Sequence, residues 1–291
     1  MRSVTIGGHR IGAGEPALVV AEIGINHNGS LEAATRLIAA AAAAGCHAVK
    51  FQKRTVDQVY TAAELAQPRD SPFGATNGDL KRGLEFGWSE YSHINRACRD
   101  HGILWFASCW DEDSVDFIDR FSPPCLKIAS PLLTDHGLLR HYRRTGRPLL
   151  LSTGMSTLEE IDAAVAVLGT EDLVLMHCTS SYPSSVDELN LRAIPRLAER
   201  YGVPVGYSGH EVGLTTTVAA AVLGAAVIER HLTLDRAMWG SDQAASVEPA
   251  GFTRLVRYLT AVHRAMGDGI KRVYDSELPA RNKLRRINVD R

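Results

Sequence analysis

The sequence has few features that would suit an oxidising compartment, a membrane or a nucleic acid. Its cysteines are odd in number and include no CxxC pair, so a disulfide framework is not expected. The N-terminus has no signal-like apolar run, and the most apolar stretches, 37–45 and 218–228, are too short and alanine-rich to span a bilayer. The formal net charge of -1 gives no electrostatic reason to expect a nucleic acid or a membrane as a partner. We expect a cytoplasmic protein with five reduced, buried cysteines: Cys46, Cys98, Cys109, Cys125 and Cys178.

Apolar runs alternate with helical patterns along the chain, which is typical of βαβ units in a parallel sheet. We predict strands at 17–23, 47–52, 103–107, 125–129, 148–152, 173–177, 204–208 and 226–231. We predict helices after them at 30–44, 89–101, 111–120, 134–145, 157–168, 188–200, 213–223 and 251–266. Eight β/α pairs predict an α/β fold, the closed (β/α)8 TIM barrel, because a six-stranded open sheet would leave two runs unassigned.

Three stretches lie outside the eight β/α pairs: residues 3–11, 53–88 and 271–291. Residues 3–11 indicate a β-hairpin that plugs the bottom of the barrel. Residues 53–88, here called the lid, exceed the length of an ordinary connection and emerge on the face where active sites of barrels lie. The lid carries five basic residues that would suit a ligand bearing a phosphate or form only a solvated face: Lys53, Arg54, Arg69, Lys81 and Arg82. We therefore assign 1–14 to the hairpin, 15–270 to a catalytic barrel and 271–291 to a C-terminal tail.

Two of the apolar runs end in a histidine. One run is Val205–His210 (VGYSGH) and the next is Val227–His231 (VIERH). If these are neighbouring parallel strands, both imidazoles stand at the C-terminal edge of the barrel. Two adjacent imidazoles can hold a divalent metal that keeps positions open for water and substrate. The alternative is that either histidine is only hydrogen-bonded to a loop.

Polar side chains also stand at or just after the end of each of the eight predicted strands. They are Glu22, Lys50, Gln52, Ser108, Lys127, Ser130, Ser152, Ser180, Tyr182, Ser208 and Glu229, with Asp242 beyond the last strand. Two lysines and several hydroxyls that converge there can bind a small dianion, either a phosphate or a carboxylate. Alternatively, Lys50 or Lys127 pairs with Glu22 or Glu229 as a buried ion pair.

Six motifs recur in order along residues 15 to about 266. They are Ala21–Gly29 (AEIGINHNG), Lys50–Lys53 (KFQK), Leu151–Met155 (LSTGM), His177–Pro183 (HCTSSYP), Ser208–His210 (SGH) and Glu229–His231 (ERH). Together they resemble the sialic acid synthase family. Three further stretches are more similar to the animal sialic acid phosphate synthases than to the bacterial members: Lys81–Phe86, Tyr207–Glu211 and Trp239–Asp242.

The resemblance implies a transferase that condenses phosphoenolpyruvate with an N-acyl hexosamine, such as N-acetylmannosamine or its 6-phosphate. The products would be a nine-carbon 2-keto sugar acid and phosphate. In this family His210 and His231 would hold Mn²⁺, with Mg²⁺ or Co²⁺ as alternatives, to polarise the acceptor's aldehyde oxygen.

The resemblance also assigns roles to the polar residues. Glu22 matches a carboxylate that handles the attacking water, and Asp242 matches one beside the metal and the aldehyde. Ser180 and Tyr182 match positions that contact the sugar. The positions that match or adjoin the phosphoenolpyruvate site are Lys50, Gln52, Ser108, Lys127, Ser130, Ser152 and Ser208.

Members of the family usually continue into a small antifreeze-like domain that caps the partner's site in a dimer and supplies an arginine. The sequence stops at Arg291, in the corresponding linker. We expect a homodimer in which a separate capping protein or the lid closes the site, or an acceptor that lacks the group read by that arginine. Two other functions stay open: condensation with a phosphorylated pentose or tetrose, and a catalytically silent binding barrel.

Overall fold

A closed barrel of parallel strands forms the centre of the computed structural model, which describes residues 2–286. The strands in this part of the chain are β1 Val4–Ile6, β2 His9–Ile11, β3 Leu18–Gly24, β4 Ala48–Lys53, β5 Pro68–Ser71, β6 Gly74–Thr76, β7 Leu104–Cys109, β8 Leu126–Ile128, β9 Leu149–Ser152, β10 Leu173–Cys178, β11 Val205–Gly209 and β12 Val227–His231. The barrel runs in the order β3, β4, β7, β8, β9, β10, β11, β12 and closes where β12 pairs with β3. The predicted (β/α)8 barrel and its eight strands are confirmed.

One long helix follows each barrel strand and packs on the outside of the sheet. The helices of the described residues are α1 Leu31–Ala43, α2 Val56–Val59, α3 Ala62–Leu65, α4 Asn77–Leu84, α5 Trp88–Asp100, α6 Glu112–Asp119, α7 His136–Arg144, α8 Leu158–Leu168, α9 Ala193–Tyr201, α10 Thr215–Val222, α11 Pro249–Met266 and α12 Leu278–Leu284. Side-chain hydrogen bonds cap the N-termini of several of these helices. Ser30 accepts a hydrogen bond from the Ala33 amide at the start of α1, and Thr157 forms a capping box with Glu160 at the start of α8.

The interior of the barrel is apolar at the bottom and polar at the top. Strand residues alternate between the interior and the helices, so every second side chain faces the barrel axis. Leu18, Val174 and Met176 belong to a buried interior cluster near the N-terminal ends of the strands. Val4 and Ile11 of the β1–β2 hairpin pack into the same cluster, and the hairpin therefore closes the bottom of the barrel as predicted.

The lid has secondary structure of its own. It contains α2, α3, the β5–β6 hairpin and α4, which ends shortly before α5. Its Phe73 packs edge-on against Trp239 in the loop after β12, with ring centroids 6.4 Å apart. A side chain at Gly29 would meet the Gly83 carbonyl oxygen at 2.4 Å, so the lid also lies close against the loop after β3.

The chain beyond α11 contains the short helix α12. Of the predicted tail 271–291, residues 287–291 lie outside the described residues, as does Met1 of the predicted hairpin segment. Within 2–286, no helix combines the length and apolar character that a bilayer crossing requires. The five cysteines are all buried and free, as the sequence predicted.

Candidate active site

The polar residues predicted at the strand ends form one buried layer above the apolar interior. Strand register brings them together, because Glu22 lies beside Lys50, Ser108 beside Lys127, and Ser208 beside Glu229 on neighbouring strands. The members of this layer that are buried are Glu22, Lys50, Ser108, Lys127, Ser152, Ser208 and Glu229. Charges so far from solvent are stable only when they are paired or when they serve a ligand.

The two lysines share one carboxylate. Lys50 Nζ lies 3.1 Å from Glu229 Oε1 and 3.4 Å from Glu22 Oε2, and it also donates to Ser108 Oγ at 3.2 Å. Lys127 Nζ lies 3.7 Å from the same Glu229 oxygen. The ion-pair alternative raised by the sequence therefore describes this structure, in which Glu229 has a central place that the sequence did not assign to it.

Serine hydroxyls complete the hydrogen bonds of this layer. Lys127 Nζ donates to Ser152 Oγ at 2.6 Å, and Ser208 Oγ donates to Glu229 Oε1 at 3.0 Å. Oε2 of Glu229 has no hydrogen-bond partner, and Oε2 of Glu22 has none besides the Lys50 ammonium group at 3.4 Å. Unsatisfied buried oxygens of this kind mark positions where a ligand or water can bond.

Burial and neighbouring charges divide the two carboxylates into different protonation states. Burial has the largest effect on Glu22 and raises its pKa to about 7, with Lys50 opposing the shift and Glu229 adding to it. Burial acts on Glu229 in the same direction, but the ammonium groups of Lys127 and Lys50 hold its pKa well below the usual range. Glu229 is therefore ionised at neutral pH, whereas Glu22 exchanges its proton in that range.

The two predicted histidines lie side by side above this layer. The centroids of the His210 and His231 rings are 5.5 Å apart, and the ring of Tyr182 packs 4.1 Å from that of His210. His210 Nδ1 donates to the Thr179 carbonyl at 2.7 Å, which leaves its Nε2 available. Burial lowers the pKa of His210 to about 4 and also lowers the pKa of His231, so both rings are neutral at pH 7.

These neutral imidazoles fit a catalytic metal better than a structural one. His231 Nδ1 is buried without a hydrogen-bond partner, and Asp242 Oδ2 lies 3.7 Å from it. Within residues 2–286 there is no group of three or more His, Cys, Asp or Glu side chains arranged to hold an ion. An ion here would take its protein ligands from His210 and His231 and leave its other positions to water or substrate.

A cavity of about 270 Å³ joins the lysine layer to the histidines. Twelve of the thirteen predicted site residues line it: Glu22, Lys50, Gln52, Ser108, Lys127, Ser130, Ser152, Ser180, Tyr182, Ser208, His210 and His231. The thirteenth, Asp242, reaches the site through His231. The lining residues that the sequence did not select are Trp110, Ala129, Pro131, Met155 and Cys178, and Glu229, predicted only as a possible counter-ion, also lines the cavity.

One wall of the cavity requires a glycine. A Cβ at Gly154 would lie 2.3 Å from Ser180 Oγ and 2.8 Å from Ser130 Oγ. The Gly154 amide donates to Ser130 Oγ at 3.1 Å, and Ser130 Oγ lies 3.3 Å from Cys178 Sγ. The close approach holds three small polar groups on one side of the cavity, where an anion would find donors.

Part of the lid connects directly to this site. Arg54 donates to Gln52 Oε1, and Gln52 Nε2 donates to Glu22 Oε1 at 3.0 Å. Arg54 also stacks over the Trp110 ring at 4.3 Å and pairs with Glu85 at 3.6 Å. The lid is therefore coupled to the position of Glu22 even though most of it lies beside the cavity.

Comparison with known proteins identifies related chains over almost the whole length. Residues 37–271 match the NeuB family. The chain is 35% identical over 282 residues to N-acetylneuraminate-9-phosphate synthase of Homo sapiens, covering 95% of this chain and 79% of that protein. It is 35% identical over 285 residues to N,N'-diacetyllegionaminic acid synthase of Legionella pneumophila, covering 94% of this chain and 80% of that protein. Its structure matches that of N-acetylneuraminic acid (sialic acid) synthetase from Leptospira borgpetersenii in complex with citrate, with a TM-score of 0.86, 31% identity and 98% of each chain covered.

Proposed function

Because the chain belongs to the NeuB family, we propose that it joins phosphoenolpyruvate to the open-chain aldehyde of an N-acyl hexosamine. The products are a nine-carbon 2-keto sugar acid and phosphate. The observation that carries the proposal is the convergence of Lys50 and Lys127 with a pair of neutral histidines on one cavity. The first pair of residues suits an anionic donor and the second suits a carbonyl acceptor.

Phosphoenolpyruvate presents a carboxylate and a phosphate, and each needs cationic and hydroxyl partners. Lys50 and Lys127 provide the cations, with Ser108 and Ser152 already bonded to them. Charge-assisted hydrogen bonds from buried ammonium groups are stronger than those between neutral groups. Glu229, which stays ionised between the two lysines, holds both ammonium groups in place before the substrate arrives.

The reaction forms one carbon–carbon bond and replaces the bond between C2 and the phosphate oxygen by a bond between C2 and a water oxygen. C3 of phosphoenolpyruvate attacks the aldehyde carbon, and the aldehyde oxygen takes up a proton to become a hydroxyl. Water then adds to C2 and gives up one proton, and the new C2 hydroxyl loses its proton to become the keto group as the bond between C2 and the phosphate oxygen breaks and phosphate leaves. Glu22, whose pKa of about 7 suits a general base at neutral pH, accepts a proton from that water.

The acceptor lies on the histidine side of the cavity. When bound by His210 and His231, a divalent ion supplies a Lewis acid for the aldehyde oxygen, with Mn²⁺ as the proposed ion and Mg²⁺ or Co²⁺ as alternatives. Ser180 and Tyr182 line the cavity beside these histidines and orient the sugar. Asp242, close to His231, restricts how the aldehyde end can approach. A homodimer, a capping protein and a cytoplasmic location stay predictions from the sequence.

A panel of acceptors tests the proposal. Phosphate release from phosphoenolpyruvate is measured with Mn²⁺ and each of several aldoses, including N-acetylmannosamine, its 6-phosphate, and pentose and tetrose phosphates. We expect release only with an N-acyl hexosamine or its phosphate, and none without an aldose. Release only with the shorter sugar phosphates would favour the related condensation, and binding of phosphoenolpyruvate without release from any aldose would favour a silent barrel.

A further inference from the structure

The basic residues of the lid have two different environments. Lys53 and Arg54 both pair with Glu85, at 3.1 and 3.6 Å. Arg82 pairs with Asp57 at 2.5 Å on the exposed side of α4. These three cations are therefore occupied by carboxylates of the lid itself.

The other two basic residues, Arg69 and Lys81, border a second cavity. Neither makes a salt bridge with any carboxylate of the described chain, 2–286. The cavity has a volume of about 300 Å³ and lies between the lid and the loop that carries Trp239 and Ser241. Asp70 also lines it, so its cations exceed its carboxylates by one.

The surroundings of Lys81 leave its charge poorly compensated. Its ammonium group lies 5.1 Å from the centre of the Tyr60 ring, a weak partner for a cation. Burial lowers the pKa of Lys81, and the positive charges of Arg54 and Arg69 lower it further, against smaller opposing effects of Asp242 and Glu85. Two cations beside a cavity that offers a single carboxylate are stabilised when an anion binds between them.

The second cavity is adjacent to the active site. Ser241, in its wall, precedes Asp242 in the chain, and Asp242 Oδ2 lies 3.7 Å from His231 Nδ1. The wall is held in place because Asn28 Nδ2 donates to the Trp239 carbonyl at 2.7 Å. The Asp242 carboxylate also acts on Lys81, whose pKa it raises, so the histidines and Lys81 lie near the same carboxylate.

We propose that this second cavity binds the phosphate of a 6-phosphorylated N-acyl hexosamine, with Lys81 and Arg69 as its cationic ligands. The inference rests on the proposed function and narrows it to the phosphorylated class of acceptor. Arg82, next to Lys81 in the chain, takes no part because successive residues of a helix point in different directions and its guanidinium pairs with Asp57.

The experiment compares kcat/KM for N-acetylmannosamine 6-phosphate with kcat/KM for N-acetylmannosamine, in the presence of phosphoenolpyruvate and Mn²⁺. The wild type should prefer the phosphorylated acceptor. Lys81→Met should reduce that preference about 10- to 100-fold, mainly through KM of the phosphorylated acceptor, because one charge-assisted contact is lost. Arg69→Gln should act in the same direction. Arg82→Met, the matched control, should leave the preference within about twofold, as expected for an exposed surface pair.

Different failures point to different conclusions. An unchanged preference in both Lys81→Met and Arg69→Gln, or a wild type that prefers the unphosphorylated sugar, overturns the phosphate site but leaves the proposed function standing. Absence of phosphate release with either sugar overturns the proposed function and this inference together. Because Lys81 is partly buried, circular dichroism and thermal melting confirm that its variant is folded, and the exposed Arg69 provides a second variant with less effect on packing.

Discussion

Arg230 and Glu211 form a buried ion pair of 3.1 Å behind the two histidines of the active site. Glu211 follows His210 in the chain and Arg230 precedes His231, so the pair connects the ends of β11 and β12 on the helix side of the barrel. Arg230 Nη1 also donates to the Gly213 carbonyl at 2.8 Å. The pair thus links the two strand ends that carry the imidazoles without lining the cavity itself.

Removal of Arg230 should destabilise the protein strongly. Arg230→Met leaves the Glu211 carboxylate buried without its counter-ion, and breaking such a pair costs about 3–5 kcal/mol. Urea unfolding of the variant and of Arg200→Met provides the comparison. Arg200 pairs with Asp162 at the surface, where such a pair contributes little to stability. Equal losses in the two variants would show that the buried pair has no special role.

Loss of either active-site histidine should abolish binding of a divalent ion with little change in folding. His210→Ala and His231→Ala remove imidazoles that lie above the apolar interior of the barrel, so the thermal midpoint should change little. Titration calorimetry with Mn²⁺ measures the affinity directly. His141→Ala is the control, since His141 pairs with Asp116 on the outside of the barrel. Full Mn²⁺ affinity in His231→Ala would exclude the metal site proposed here.

Lys127 should contribute to the binding of phosphoenolpyruvate. Lys127→Met removes one charge-assisted contact and should weaken the affinity by about 1.5–3 kcal/mol, or about 10- to 100-fold. The control is Lys53→Met, because the Lys53 ammonium group pairs with Glu85 in the lid. This variant should bind phosphoenolpyruvate as the wild type does. If Lys127→Met keeps its affinity but melts at a lower temperature, the lysine serves only to neutralise Glu229.

Glu22 should make both activity and stability depend on pH near neutrality. Its folded pKa of about 7 lies above the ordinary value of 4.5, so the folded state favours the protonated form. The contribution of Glu22 to stability is therefore complete below pH 4.5 and declines as pH rises through 7, by up to about 1.4 kcal/mol per pH unit. The reaction rate should rise over the same range as the general base becomes ionised.

Glu22→Gln isolates this effect. The variant should be more stable than the wild type at pH 8 by a larger margin than at pH 5, and it should lose the limb of the pH–rate profile near 7. Unfolding free energies at the two pH values, together with kcat/KM between pH 5 and 9, measure both consequences. If the stability of Glu22→Gln changes with pH in the same way as that of the wild type, a group other than Glu22 is responsible for the pH dependence.

The fold and most of the site could be predicted because both follow from local patterns. The strand runs and helical periods give the barrel, and alternation within each strand decides that Lys50 and Lys127 face its interior. Register between neighbouring strands then brings Glu22 beside Lys50 without further information. Because each strand is short, the residue at its C-terminal end can be located closely from the sequence.

The unpredicted features depend on contacts between distant segments. Glu229 was assigned only as a possible counter-ion, and its position between both lysines follows from barrel closure. Trp110 joins the site by stacking with Arg54, and the spacing of these two residues in the sequence does not predict that contact. Lys81 and Arg82 are neighbours with the same charge, and only the folded lid separates the one that faces a cavity from the one that pairs at the surface.

The apolar plug at the bottom of the barrel gives the active cavity a single mouth. Val4 and Ile11 close the lower end, and the lysine layer lies directly above that closed interior. Tyr182, beside the histidines, is 49% exposed and so lies nearer the rim. A sugar seated against the histidines stands between the lysines and solvent. If phosphoenolpyruvate binds at the lysines as proposed, it has to enter the cavity before the sugar, and the sugar acid has to leave before the next phosphoenolpyruvate can bind.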